Sequence, residues 1–326
     1  MPTPPALRRG LQGLGVAGAL GAGALAYASL YEVDAYRLRR VSVPALPAGA
    51  RDIRVLHVSD IHLTPSKTRR QRWLTELSGL EPDLVVDTGD NLAHREAVPF
   101  VVRSLGRLLD VPGVYVWGSN DYYGPVLKNP FRYLTQRGKP ANPEPDLERE
   151  LPWVDLGEAF SRRGWTDLTH TTATIEIEGV RLGFRGTDDA HLGRDHYAEV
   201  AGPVDRSAVD VAIGVTHAPY RRVIDAMTAD GLDLVLAGHT HGGQVAVPGY
   251  GALVTNCDLD TARVKGVSHN TAGGHTAWLH VSAGLGTSPY SPVRFACPPE
   301  ATLLTLTARD ASEDVSPAGR SRHGER

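Results

Sequence analysis

The chain has 326 residues, 41% hydrophobic and 22% charged, with a formal net charge of -3. Those values exclude a wholly disordered chain, which carries fewer apolar residues and more net charge. They also exclude a polytopic membrane protein, because only one long apolar run is present, and they give no global reason to expect nucleic acid as a partner.

In chain order, residues 1–10 form a short leader containing Arg8 and Arg9. Residues 11–31 carry no charge and are long enough, as a helix, to span roughly 30 Å of hydrocarbon. A single-pass membrane anchor is the first reading. A cleaved signal is the second, because Ala26-Tyr27-Ala28 is an A-x-A-like site and Arg8-Arg9 a weak twin-arginine signal. A buried soluble helix is the third, since the run's glycines suit a water-exposed helix poorly. Arg37, Arg39 and Arg40 follow the segment, so the positive-inside balance is nearly even. The short leader and the A-x-A site favour placing the rest of the chain outside the cytoplasm. Residues 32–50 read as a linker ending in Val43-Pro44-Ala45-Leu46-Pro47, residues 51–308 as one globular domain, and residues 309–326 as a disordered tail. Cys257 and Cys297 read as two buried thiols, with a bridge between them as the alternative.

Within the domain, Ile53–Ser59 reads as a buried strand. Residues 68–80 carry helical spacing through Trp73, Leu74, Leu77 and Leu80. Leu84–Thr88 is a second strand, residues 94–109 a second helix with Pro99 marking a kink or a late start, and Val114–Trp117 a third strand. This alternation predicts parallel βαβ units. Residues 122–150 look like an insertion over the sheet edge. Residues 173–184 read as a hairpin turning at Glu178-Gly179. Further strands are expected near 209–215, 232–236, 278–282 and 301–306. The whole predicts an α/β fold: a four-layer α/β/β/α sandwich of two mixed sheets.

Each parallel strand ends in a polar cluster. These are Asp60-Ile61-His62, Gly89-Asp90-Asn91, Gly118-Ser119-Asn120-Asp121, Thr216-His217-Ala218-Pro219 and Gly238-His239-Thr240-His241-Gly242-Gly243-Gln244. Ligand sites in open α/β sheets lie at the carboxyl ends of strands. In extended backbone residues i and i+2 point the same way, so Asp60 and His62 can converge on one cation, and His239 and His241 likewise. Imidazole, carboxylate and amide oxygen together suit Mn, Fe or Zn better than an all-oxygen calcium site. Gly89, Gly118 and Gly238 give sharp turns and room for a ligand.

The ordered set resembles the calcineurin-like metallophosphoesterase superfamily, and the G-H-T-H-G-G-Q string with the N-terminal apolar segment resembles its bacterial membrane-associated phosphodiesterase branch. The resemblance implies a di-metal phosphoesterase acting on a phosphomonoester or phosphodiester through metal-activated water. Asp60, His62 and His241 would hold one divalent ion, Asn120, His217 and His239 the other, with Asp90 bridging them. Such paired cations clamp the attacking and leaving oxygens of an in-line displacement. One departure stands out. The family's third motif carries a His after the Asn, commonly assigned as the leaving-group acid. Here either Asn120 is the ligand and Asp121 occupies the His place, or Ser119 replaces the ligand and Asn120 the His, the first being preferred. Asp121, Asn120 and His217 are the expected catalytic residues, and His94, His191 and His196 lie in loops within possible reach. Asp188-Asp189 is a candidate cleft lining. Tyr122 and Tyr123 are candidate substrate contacts, and Trp117 reads as core. The expected partners are a small-molecule or lipid-linked phosphoester and, through residues 11–31, the membrane. The other readings are a catalytically silent metal-binding scaffold and a nuclease in which Arg69, Arg70 and Arg72 touch phosphates.

Overall fold

The structure, a computed structural model, describes residues 5–125 and 147–309. The first residues of the leader, most of the expected insertion and the expected tail lie outside the described residues. Helix α1 (Pro5–Ala26) continues through a wider turn, Tyr27–Tyr31, into a tight one, Glu32–Asp34. From Gln12 to Asp34 this segment is long and apolar enough to cross a membrane, by length and composition.

Strands β1 (Arg37–Leu46), β2 (Ile53–Val58), β3 (Leu84–Asp87), β4 (Gly113–Tyr115) and β5 (Thr166–Asp167) share the first sheet with the final strand, β14 (Glu300–Ala308). Its order is β1-β14-β2-β3-β4-β5, with β14 antiparallel to β2 and the pairs from β2 to β5 parallel. The second sheet contains β6 (Thr172–Ile177), β7 (Val180–Gly186), β8 (Val211–Val215), β9 (Leu234–Ala237), β12 (Gly266–Ala272) and β13 (His275–Val281), in the order β12-β13-β9-β8-β7-β6. A small hairpin, β10 (Ala246–Val247) with β11 (Gly251–Ala252), stands apart.

The sequence explains this arrangement. Strands β3, β8 and β9 are buried at every position, as parallel strands covered on both faces must be, and so read as unbroken apolar runs. Strands β6 and β7 alternate instead. They join at Glu178 and Gly179, whose φ values of 52° and 78° suit the twist of a two-residue hairpin turn. Pro99 sits in the first turn of α3 (Val98–Leu105), so it gives a late start rather than a kink. Helices α2 (Thr68–Glu76), α3 and α5 (Trp153–Ser161) cover the first sheet through Leu74, Val101, Leu105, Leu156 and Phe160. Val55, Val86, Val114, Leu182, Ile213 and Leu234 fill the space between the sheets. Helix α6 (Arg221–Ala229) covers the second sheet with Val223, Ile224 and Met227. The result is the expected four-layer sandwich.

The boundary at residue 51 needs correction. Residues 37–46, expected as part of a linker, form the edge strand β1, which runs parallel to β14 from Arg37 to Leu46. Val43, Ala45 and Leu46 are buried there. Pro44 obscures the strand in sequence, yet an edge position tolerates its missing N–H, and the register shifts beside it. The last turns of the apolar segment are docked as well. The buried Glu32 carboxylate accepts the N–H groups of Ala296 (3.1 Å) and Cys297 (2.6 Å), and Arg294 N–H donates to Ala28 O (3.1 Å). Cys257 and Cys297 are buried free thiols.

Candidate metal centre

The five polar clusters meet at the carboxyl ends of β2, β3, β8 and β9 and at α4 (Ser119–Tyr122), the helical turn after β4. Their local conformation differs from the extended one expected. Among the described residues ten non-glycine residues have positive φ, and five of them are Asp60, His62, Asp90, His239 and His241. Convergence therefore comes from left-handed turns, a region Asp and His enter more readily than most residues, and not from strand alternation. Such strain persists only where the surroundings hold it. Gly238 supplies the close approach: a methyl group there would overlap Ser59 Oγ and Asp60 Oδ2, and one at Gly118 would overlap Asp90 Oδ1.

Asp90 lies at the middle of the site. Its Oδ2 is 3.5 Å from His62 Nε2 and its Oδ1 is 3.5 Å from His217 Nε2. The carboxylate thus faces two separate groups of imidazoles. On one side His62 and His241 bring their Nε2 atoms to 3.3 Å, with Asp60 Oδ1 3.6 Å from His241 Nε2. On the other, His239 Nδ1 and His217 Nε2 approach to 3.3 Å. Asn120 closes this side: its backbone N–H donates to Asp90 Oδ1 (2.7 Å) and its side-chain amide lies 2.6 Å from Asp90 Oδ2. All seven expected ligand residues are therefore brought together.

Outer contacts fix the rings. His217 Nδ1 lies 2.6 Å from Thr88 O and His241 Nδ1 3.1 Å from Gly286 O, which turns the two Nε2 atoms towards Asp90 and Asp60. Asp60 Oδ2 accepts from Ser59 Oγ (2.6 Å) and from the His239 N–H (3.0 Å). Asp60 Oδ1 and His239 Nε2 are buried with no hydrogen-bond partner.

The electrostatics are those of a site built for cations. Burial pushes Asp60 up to about 6 and His62 down to about 4, and lowers His239 and His241 well below the usual imidazole value. Burial also opposes the charged forms of Asp90 and His217, but their mutual attraction prevails, holding Asp90 well below and His217 well above their ordinary values. Neutral imidazoles and buried carboxylates with free lone pairs are costly alone and are satisfied together by a divalent ion. Asp60, His62 and His241 form one group able to hold a metal, and Asp60, Asp90 and His217 another, with ligating atoms within 4.8 Å of one another in each.

Other expected residues take different places. Asp121 is fully buried. Its oxygens accept the N–H groups of Asp90 (2.7 Å), Asn91 (2.7 Å), Leu92 (3.2 Å) and Gly118 (3.0 Å), so it ties the second and third loops together and does not reach the cleft. Asp188 and Asp189 are also buried. Asp188 accepts from Tyr122 OH (2.8 Å) and Asp189 from the His191 N–H (2.9 Å), so both order their loop. Trp117 and Tyr122 are core, while Tyr123 OH accepts from Arg194 (2.8 Å). His191 flanks the site, its ring centroid 4.6 Å from that of His239. His94 lines an open cavity of about 550 Å³ with Thr64, Gly124, Arg149 and Tyr290. His196 is exposed and pairs with Glu199 (3.4 Å).

Residues 53–243 match the calcineurin-like phosphoesterase family. The chain belongs to this family. As a calcineurin-like phosphoesterase it is a phosphoric ester hydrolase. It is 25% identical over 310 residues to the uncharacterized metallophosphoesterase YkuE of Bacillus subtilis (strain 168), covering 90% of this chain and 95% of that one. It is 27% identical to the Bos taurus transmembrane protein with metallophosphoesterase domain, over 82% of this chain and 56% of that one. The structure of purple acid phosphatase PPD1 from yellow lupin aligns with a TM-score of 0.41 at 11% identity, over 86% of this chain and 58% of that one.

Two buried arginines support this phosphoesterase's site: Arg70, read in sequence only as a phosphate contact, and Arg294, which the sequence reading missed. Arg70, fully buried, donates to Ile61 O (2.7 Å) and His62 O (2.6 Å). It staples the first ligand loop and cannot touch a substrate phosphate, as the nuclease reading required. Arg294, also buried, donates to Ala283 O (2.7 Å) and Gly286 O (2.6 Å) beside His241. Neither has a motif, and only an exclusion of buried unpaired charge would have flagged them.

Proposed function

We propose that the chain is a membrane-anchored di-metal phosphodiesterase. The observation that carries this reading is the Asp90 carboxylate, whose two oxygens face His62 on one side and His217 on the other at 3.5 Å each. In this reading Asp60, His62 and His241 hold one ion, Asn120, His217 and His239 the other, and Asp90 spans both. Mn, Fe and Zn all suit the donor set. When bound, such ions supply an activated water and offset charge at phosphorus. The residues do the rest. Asn120 is held against Asp90, favouring the register in which it is the ligand. Asp121 fixes the Asp90 and Gly118 backbones. His94 lines the open cavity beside Thr64 and Tyr290, and we assign it, in its imidazolium form, the protonation of a leaving group there.

A diester is favoured over a monoester by the charge of that cavity. Arg95 and Arg149 line it beside Glu96 and Glu148, and the two guanidinium groups donate to Glu148 O and Gly124 O. Among the described lining residues no surplus cation is offered to a second phosphate charge. Anchoring is supported by the apolar Gln12–Asp34 segment and by the transmembrane designation of the bovine relative. The docking of Ala28 and Glu32 on the domain favours a retained anchor over a cleaved signal. We place the domain outside the cytoplasm on the leader's charge pattern. The test is hydrolysis of paired aryl phosphate mono- and diesters by the full chain in detergent, stripped and reloaded with Mn. A diester rate above the monoester rate supports the reading, and the reverse order overturns the diester assignment.

A further inference from the structure

Two loops at the mouth of the metal site are unusual for a water-facing surface. No charged residue occurs from Gly242 to Cys257, nor from Val281 to Val293. Both stretches nonetheless present large side chains outward: Tyr250 is 78% exposed and Tyr290 56%, with Val245, Val247 and Leu253 also exposed. The first stretch contains the β10–β11 hairpin, tipped by Pro248-Gly249-Tyr250. It follows directly from the ligand His241, and it packs so closely on that loop that a methyl group on Gly243 would overlap Ala252.

These loops are continuous with the apolar helix. Phe295 bridges them: Ala246 N–H donates to Phe295 O (2.8 Å), Phe295 N–H donates to Gln244 O (3.1 Å), and the Phe295 ring meets Tyr27 edge-on at 6.2 Å. Leu30, one turn further on, is 77% exposed. At the helix exit, Arg37, Arg69 and Arg72 line a cavity of about 370 Å³ with Tyr31, Tyr36 and Trp73. Asp34 and Glu76 share it, leaving a small positive surplus. Exposed tyrosines with apolar neighbours and nearby arginines are the composition of an interfacial layer over anionic lipid.

We propose that this face seats on an anionic bilayer, with the β10–β11 hairpin and Tyr290 in the interfacial layer. The inference rests on the reading of Gln12–Asp34 as a retained anchor. Tyr290 also lines, with Thr64 and His94, the cavity of about 550 Å³, so in this seating that cavity would open at the lipid surface. The substrate class that fits is an amphipathic phosphodiester whose apolar part stays in the membrane.

Spin labels on the full chain in nanodiscs containing phosphatidylglycerol test this. Labels would be placed through Tyr250→Cys, Tyr290→Cys, Leu20→Cys in the helix, and Glu178→Cys at the far end of β7. The native thiols are buried. Oxygen concentrates in lipid and a water-soluble nickel chelate does not. The expected result is an oxygen-to-nickel collision ratio at 250 and 290 severalfold above that at 178, approaching that at 20. Labels at 250 and 290 matching 178, while 20 reports lipid, would overturn the proposal and leave the anchor standing. A water-like ratio at 20 would overturn the anchor, and the proposal with it.

Discussion

Asp121 governs Asp90 through the backbone: its Oδ2 accepts the Asp90 N–H at 2.7 Å and the Gly118 N–H at 3.0 Å. Asp121, which stands where the family carries its third-motif His, is the clasp between two ligand loops. Asp121→Ala leaves four buried N–H groups without their acceptor. We expect a loss of roughly 2–4 kcal/mol in stability, read by urea unfolding, together with weaker metal retention. Unchanged stability and metal content with altered leaving-group dependence would contradict the clasp and make Asp121 a proton donor.

Proton delivery falls to His94 in this account. His94→Ala should slow diesters with alkyl leaving groups by ~10²-fold, in the range of general acid catalysis, and hardly change nitrophenyl esters, which leave without a proton. Equal slowing of both would remove His94 from that role.

Arg294 holds the loop from Ala283 to Gly286 against His241. Arg294→Met removes the donors and frees the loop. The expected outcome is lower metal content per chain after dialysis, by elemental analysis, with Arg294→Lys intermediate because lysine lacks the planar fork. Full metal content in Arg294→Met would show that the loop holds itself.

A second buried pair lies between the sheets. His57 Nδ1 and His280 Nδ1 are 2.8 Å apart, so one ring donates and the other accepts. Burial lowers His280 from 6.5 to about 4 and His57 well below its usual value. The folded state therefore stays neutral where the unfolded state takes up protons. Stability from this source is complete above about pH 6.5 and falls as pH drops from 6.5 towards 4. His280→Gln should flatten that fall in the urea midpoints of metal-free protein. Parallel pH curves for the two proteins would contradict it.

The central strands were legible because their burial on both faces leaves unbroken Val, Leu and Ile runs, and the ligand clusters because each follows such a run. Edge strand β1 was not, since Pro44 and its arginines resemble a linker. Nor was the left-handed backbone at Asp60 and His62, where loop closure, not alternation, sets direction. Arg70 sits among exposed arginines in sequence, and only the fold buries it. The β1 result has a practical consequence: a fragment beginning near residue 45 would lose most of a sheet strand, so the full chain is the proper material.

The central claim is that Asp90 spans two metal ions. The direct measurement is metal content per chain beside diester hydrolysis, for the full chain and for Asp90→Ala, each stripped and reloaded with Mn. The account expects two ions and metal-dependent activity in the parent, with one ion or fewer and at least ~10³-fold lower activity in the variant. Two ions and near-parental activity in Asp90→Ala would contradict it.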